Sequence, residues 1–521
     1  MSAFLLTDRA AFLSLIVILG LGLIGAFSIY SGPSPFYDDS MYLQLAHQIL
    51  IGSPSFIGSI FGFDYLQLMF VALSLGAFGY GTLQAILPSI LEYSVMITLA
   101  FLIGRRIRGN GVGIVSAFLT ATAPFVLVYV TRVLPDMATG MAAAISVYVF
   151  LVTVQQRKRN PYMPLLFGVT LVLPLFMKME GLAFLGFSWV AMIASAAYYR
   201  SDSGFVTKRF ICLAAVGSAI ALLVYFSIFN ALIGNPFFGL EHDWIAPVMT
   251  PANNTLTVMN PDTLSVGPSA NTETYPIGLF IYLAIAGTLV AIAKRERFLS
   301  FISIVTWGVF AYLVAGTTTY TSYVPITTHT RFFTIVVVPL AVLGAYGVSE
   351  LYSRAERRKR WLGLVAACAV LFAIVLTNIP LYLLFAQANA ANFPVFNQFY
   401  EAVSYITNAS KGSPANVFFY APGPFPIFVS QDLNFTTSFS QSYQIISINS
   451  TTPRCGAANL YQNAYLLNVN PINYSGFSNL SIQNDTAWLG ANCTASPLAS
   501  FGPESGITVY RLGGLGPAHK T

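Results

Sequence analysis

Of the 521 residues, 56% are hydrophobic and only 8% carry a charge, whereas an ordinary soluble domain holds roughly 25% charged residues. That balance excludes a soluble globular protein. The net charge of +6 gives no basic surface for nucleic acid, because most of it lies in short loops between long apolar runs.

The first apolar run, residues 10–30, is too long for a signal-peptide core and lacks a small-residue cleavage site, so it reads as a retained membrane helix. Ten further runs follow at about 84–104, 111–130, 137–155, 162–178, 181–199, 210–230, 276–293, 298–316, 333–351 and 361–385. Each can cross a hydrocarbon core of roughly 30 Å. The segment 64–78, "DYLQLMFVALSLGAF", is apolar but short, and is expected at the interface or as a re-entrant helix. The fold class expected is an all-α polytopic membrane domain of about eleven helices over residues 1–385, with outer loops at 31–83 and 231–275, followed by an extracytoplasmic α/β domain over 386–521.

A cytoplasmic N-terminus places "GRRIRGNG", "RKRN", "RSDSGFVTKR", "KRER" and "SRAERRKR" inside; with Arg9 they hold 18 of the 25 Lys and Arg, as the positive-inside rule requires. Eight N-glycosylation sequons, at Asn253, Asn408, Asn434, Asn449, Asn473, Asn479, Asn484 and Asn492, all fall on the side this topology makes outer.

The tail from residue 386 is polar and rich in Asn, Ser, Gly and Pro. It opens on a helical pattern (Val395, Phe399, Val403, Ile406), then shows strand-like runs "NVFFYA", "YQIISI" and "NAYLLNV" and a closing hairpin in "PLASFGPESGITVYRL". Cys455 and Cys493 both lie in it, on the oxidising side, and a disulfide between them is expected. Cys212 and Cys368 fall in predicted spans, where they read as buried small apolar residues.

Three cations at the outer ends of spans break the positive-inside trend: Arg132 near Asp136 in "TRVLPDMATG", Lys178 near Glu180 in "FMKMEGL", and Arg331 beside His329 in "THTRFF". Each alone is explained by snorkelling or local pairing. Three on one side favour an anionic ligand such as a lipid phosphate. Acids on the same side are Asp38, Asp39, Asp64, Asp136 and Glu180. Capping of the helix "SMYLQLAHQIL" needs one Asp, not two. A second carboxylate could raise the pKa of a general base or complete a divalent-cation site for Mg or Mn. Glu92, inside the second span, must face protein or a water-filled cavity. "LEHDW" (Glu241, His242, Asp243) has metal-ligand residue types, but adjacent residues rarely point at one ion. The chain has no Walker loop, no pair of Cys-x-x-Cys motifs and no Rossmann glycine pattern at a strand–helix junction.

These residues resemble a family. "YDDSMYLQLAHQILIG", an acidic pair ahead of an interfacial helix, is similar to the first outer loop of the GT-C glycosyltransferases, above all the dolichyl-phosphate-mannose–protein mannosyltransferases and the bacterial aminoarabinose transferases. "LMFVALSLGAFGYG", "ILPSILEYSVMITLAFLIGRRIRG", "TAPFVLVYVTRVLPDMATG", "VLPLFMKMEGLAFLG" and "THTRFFTIVVVPLAVLGAYG" continue the likeness, over roughly residues 30–200 and 325–350. Two departures stand out: Ile86 where relatives often carry Arg, and "GFDYLQL" where they carry Pro-Pro-Leu. The "WWDYG" signature of oligosaccharyltransferases is missing from the sequence.

The resemblance implies an inverting transfer of mannose or a similar hexose from a dolichyl or polyprenyl phosphate to an acceptor hydroxyl on a protein or glycan, at the extracytoplasmic face. It assigns the base to Asp38 or Asp39, acceptor or base orientation to Asp136, and the lipid phosphate to Arg132, Lys178, His329 and Arg331, with Glu180 and Asp64 in support. The partners implied are the lipid-linked donor, the acceptor and membrane lipids, with no nucleic acid. Alternative readings are terminal sugar transfer to a lipid-linked glycan, or a transporter or non-catalytic glycosylated surface protein; a transporter would favour internal repeats, which the sequence lacks. An archaeal cell membrane is the expected location, ahead of an endoplasmic reticulum.

Overall fold

The computed structural model describes residues 7–30, 38–52, 64–79, 81–156, 160, 162–198, 206–238, 240, 280–316, 330–409, 415–419, 443–447, 464–469, 493–501 and 507–515. The chain forms two compact units. The first takes Met1–Tyr30, Phe56–Gln67 and Leu87–Ala386; the second takes Ser31–Ser55, Leu68–Ile86 and Gln387–Thr521.

Every expected span except 111–130 is met by a single helix among the described residues. In chain order these are α1 (Asp8–Ser28), α2 (Asp38–Leu50), α3 (Tyr65–Phe78), α4 (Thr82–Arg108), α5 (Asn110–Ala121), α6 (Pro124–Tyr129), α7 (Asp136–Gln155), α8 (Tyr162–Met177), α9 (Gly181–Tyr198), α10 (Lys208–Ile233), α11 (Phe280–Ala293), α12 (Arg297–Ala315), α13 (Thr334–Glu356) and α14 (Arg360–Ala409). Among the described residues eight helices are long and apolar enough to cross a membrane; α3, α5, α8 and α11 are shorter apolar helices.

Two elements differ from expectation. The run 111–130 is broken into α5 and α6 at Pro124, which stands at the first turn of α6, where its missing N–H costs nothing. The last span does not stop at 385: α14 runs 50 residues and takes in the separate helical pattern expected at 395–406.

In the first unit α8 packs against α7, α9 and α10, while α13 packs against α5, α7, α11 and α12. Close crossings rest on absent side chains. A Cβ at Gly168 or Gly217 would run into the carbonyls of Ala214 or Leu165 across the α8–α10 contact, and one at Gly287 into that of Leu343. Small residues of this kind let helices approach where lipid supplies no hydrophobic drive. Phe150 of α7 stacks on Phe301 at 3.9 Å and meets Phe167 at 5.1 Å and Phe298 at 5.7 Å.

Pro174 and Pro88 lie inside helices and each free a carbonyl one turn earlier, which in these two cases a serine takes up. Pro174 in α8 leaves the carbonyl of Thr170, which accepts from Ser146 Oγ of α7. Pro88 in α4 leaves that of Gln84, which accepts from Ser74 Oγ of α3 at 2.6 Å.

The second unit holds a five-stranded mixed sheet: β1 (Ala415–Phe419), β2 (Tyr443–Ser447), β3 (Ala464–Val469), β4 (Cys493–Phe501) and β5 (Ile507–Leu515), in the order β2-β1-β3-β5-β4. β2, β1 and β3 are parallel, and β5 runs antiparallel to both β3 and β4. The expected closing hairpin is there, with Phe501 opposite Ile507.

Cys212 and Cys368 are exposed on the surfaces of α10 and α14 rather than buried. A thiol is apolar enough to face hydrocarbon as well as protein, so membership of a span does not decide its side.

Candidate active site

At one end of the first unit the N-termini of α7, α9 and α13 come together with the end of α8, and four of the singled-out charged residues meet there. Asp136 is the first residue of α7, behind Pro135. Lys178 follows the last residue of α8, and Glu180 precedes α9. Arg331 lies in the 3-10 turn Thr330–Phe333 that leads into α13.

Lys178 Nζ lies 2.9 Å from Asp136 Oδ1 and 3.0 Å from Glu180 Oε1. It also sits 3.8 Å above the Phe332 ring, whose centre is 5.6 Å from the Arg331 guanidinium. Phe332 thus attracts both cations through the face of its ring. The Asp136 side chain is 2% exposed and that of Lys178 15%. Asp64 acts electrostatically on Lys178 as well, as does Arg331. Helix N-termini carry partial positive charge and unsatisfied N–H groups, so this end of the bundle suits an anion.

The turn from Thr131 to Pro135, which aims Asp136 and holds Arg132, is tied from two helices. Ser89 Oγ of α4 donates to the carbonyl of Arg132 at 2.8 Å, and Gln67 Nε2 of α3 donates to that of Leu134 at 3.5 Å. Arg331 is braced in turn, its carbonyl accepting from Thr334 Oγ1 at 2.6 Å.

The structure therefore brings together Asp136, Lys178, Glu180 and Arg331, with Asp64 in electrostatic range and Arg132 half-buried in the turn behind Asp136. Asp38 and Asp39 open α2 in the second unit, Asp38 half-buried and Asp39 fully buried. His329, Cys455, Glu241, His242, Asp243 and the sequons at Asn253, Asn434, Asn449, Asn473, Asn479, Asn484 and Asn492 lie outside the described residues. Cys493 begins β4, and Asn408 lies in the last turn of α14. No group of three or more His, Cys, Asp or Glu side chains that could hold a metal occurs among the described residues.

Phe332, Ser89 and Gln67 were not singled out by the sequence. Neither was the buried anchor formed by Glu350 of α13, which is 3% exposed at its side chain and accepts from Lys294 Nζ at 2.6 Å and from Arg108. It clamps α4, α13 and the residue following α11, among the basic loops at the opposite helix ends. The only sequence hint was that these cations fall at predicted span ends.

Residues 63–229 match a family described as dolichyl-phosphate-mannose-protein mannosyltransferase. Among solved structures, ArnT from Cupriavidus metallidurans bound to undecaprenyl phosphate superposes with a TM-score of 0.64 at 12% identity, over 96% of this chain and 98% of that one. The chain has the GT-C fold. The apo form of the same ArnT gives a TM-score of 0.61 at 12% identity over 95% and 97% of the two chains. The oligosaccharyltransferase of Archaeoglobus fulgidus in its apo form gives 0.52 at 13% identity, over 89% of this chain and 70% of that one. No curated protein matches in sequence. In the GT-C fold of this chain, the matched stretch carries Asp64, Asp136, Lys178 and Glu180 of the cluster around Lys178, together with Arg132 in the turn behind Asp136, while Arg331 lies beyond it.

Proposed function

We propose that the protein is a membrane glycosyltransferase that transfers a monosaccharide, mannose or a similar hexose, from a dolichyl or polyprenyl phosphate to a hydroxyl of a protein or glycan acceptor at the extracytoplasmic face. The observation that supports this most is the gathering of the Lys178 and Arg331 cations on the Phe332 ring, set among three helix N-termini. The likeness to an ArnT bound to undecaprenyl phosphate, and the matched mannosyltransferase family, point the same way.

In this reading the acceptor oxygen attacks the anomeric carbon from the face opposite the phosphate. The C–O bond to phosphate breaks with its electrons going to the phosphate oxygen, and configuration inverts. The acceptor proton passes to Asp38 or Asp39. Negative charge grows on the departing lipid phosphate, where Arg331 and Lys178 offset it; fixed cations at such positions are typically worth about 10²–10³ in rate. An ammonium carries three donors, and Asp136 and Glu180 take two of those on Lys178. The two carboxylates thus orient Lys178 so that its third N–H is left for the phosphate. Arg132 and His329 complete the cationic set, and Asp64 and Glu180 keep it from excess positive charge. A divalent cation such as Mg or Mn, if the reaction uses one, would be held by Asp38 and Asp39, and it would lower the charge of the pair and weaken it as a base.

The test is substitution with separate readouts of binding and turnover. Arg331→Ala should weaken undecaprenyl-phosphate binding at least tenfold and slow transfer by about 10² or more. Asp38→Asn or Asp39→Asn should abolish turnover while leaving that binding intact. Near-normal rates in both Asp variants would return the pair to helix capping and remove the proposed base.

A further inference from the structure

Glu92 carries a carboxyl group in the interior of α4, 3% exposed, and neither of its oxygens has a hydrogen-bond partner among the described residues. Such a group is costly to bury unless something supplies donors. Its level in the bundle is set by its neighbours on the same helical face, since residues three and four apart are adjacent. Ser89, one turn earlier, holds the carbonyl of Arg132. Met96, one turn later, is packed where a Cβ on Gly140 would fall, beside the backbone of Thr334. Glu92 lies between these levels on α4, between the turn that carries Arg132 and the contact with Gly140 of α7 and Thr334, the first residue of α13.

A second orphan stands at the same turn. Gln67 is fully buried; its Nε2 donates to Leu134, while its Oε1 has no partner. Three buried side-chain oxygens, two on Glu92 and one on Gln67, therefore have no hydrogen-bond partner among the described residues. A polyprenyl tail has no donors, and a phosphate brings further negative oxygens. A sugar brings hydroxyl groups, which are donors.

We propose that Glu92 and Gln67 accept hydrogen bonds from ring hydroxyls of the transferred hexose and so determine which sugar the site takes. This rests on the glycosyltransferase reading above. Sites built to hydrogen-bond a substrate hydroxyl reject analogues that lack it far more strongly than apolar pockets reject a change in size.

The test uses dolichyl-phosphate mannose and its 2-, 3-, 4- and 6-deoxy analogues with the purified full chain. In the natural protein at least one deoxy donor should lose about 10- to 100-fold in kcat/KM. In Glu92→Leu that penalty should shrink to about onefold, with the loss against mannose itself carried in kcat/KM and the affinity for undecaprenyl phosphate unchanged. Gln67→Leu should relax a penalty at the same or an adjacent hydroxyl. Should Glu92→Leu fail to fold, Glu92→Gln is read in its place, with the discrimination altered rather than erased. Deoxy penalties identical in the natural and substituted proteins would overturn the proposal and leave the two residues as structural acceptors satisfied by water. A natural protein that transfers no hexose from any lipid phosphate would instead overturn the glycosyltransferase reading, and this proposal with it.

Discussion

Lys178 shows how one residue sets the character of the site. Its ammonium is held by Asp136 at 2.9 Å and Glu180 at 3.0 Å in a largely water-free setting, so removing Asp136 leaves Glu180 alone to offset a buried charge, at a cost of up to roughly 3–5 kcal/mol. Asp136→Ala is therefore expected to lower the denaturation midpoint markedly. The double substitution with Lys178→Met should restore part of that loss, because the more deeply buried charges of the cluster are both gone and only Glu180 is left without its cation. Additive losses measured by chemical denaturation would show that the two side chains are not coupled. What the sequence displayed at this scale was the charges themselves: Arg132, Lys178 and Arg331 stood out because they break the positive-inside pattern. Ser89 and Gln67 did not, because their partners lie 43 and 67 residues away and a buried serine or glutamine leaves no periodic trace. Glu92 was visible as a charge in a span, but its lack of partners was not.

Helices were the most legible elements, since length and hydropathy alone place a membrane span. The breaks were less so. Pro124 ended α5 as a proline does, yet Pro88, Pro174 and Pro339 all sit within continuous helices. The difference for Pro88 and Pro174 is the serine that takes up the freed carbonyl, a pairing across elements that no local reading contains. Ser146→Ala should strip Thr170 of its partner and cost about 1–3 kcal/mol, read as a lower thermal midpoint in detergent; Ser146→Thr, which keeps the hydroxyl, should recover most of it. A midpoint unchanged by Ser146→Ala would mean that the carbonyl finds another donor. Gly217→Leu should be harsher, because any side chain there strikes the Leu165 backbone of α8. Exposure of Cys212 and Cys368 was misjudged for a related reason: lipid-facing and core-facing positions of a span are equally apolar, so hydropathy has no contrast with which to separate them.

For the whole molecule, fold and function were legible to different depths. The all-α membrane architecture followed from composition and run length, and the GT-C fold from the order of motifs around Asp136 and Lys178. The mixed sheet was foreshadowed by β-branched and aromatic runs, with its strand order set by pairing that the runs do not specify. The sugar was not legible, because hydrophobic pattern encodes where helices lie and not which hydroxyl an isolated acceptor meets. The central claim is the nature of the donor, and its most direct test is transfer by the purified protein from labelled dolichyl-phosphate mannose or glucose beside the matching nucleotide sugars. The account predicts labelled acceptor from a lipid-phosphate donor and none from the nucleotide sugars; label transferred only from the nucleotide sugars would contradict it.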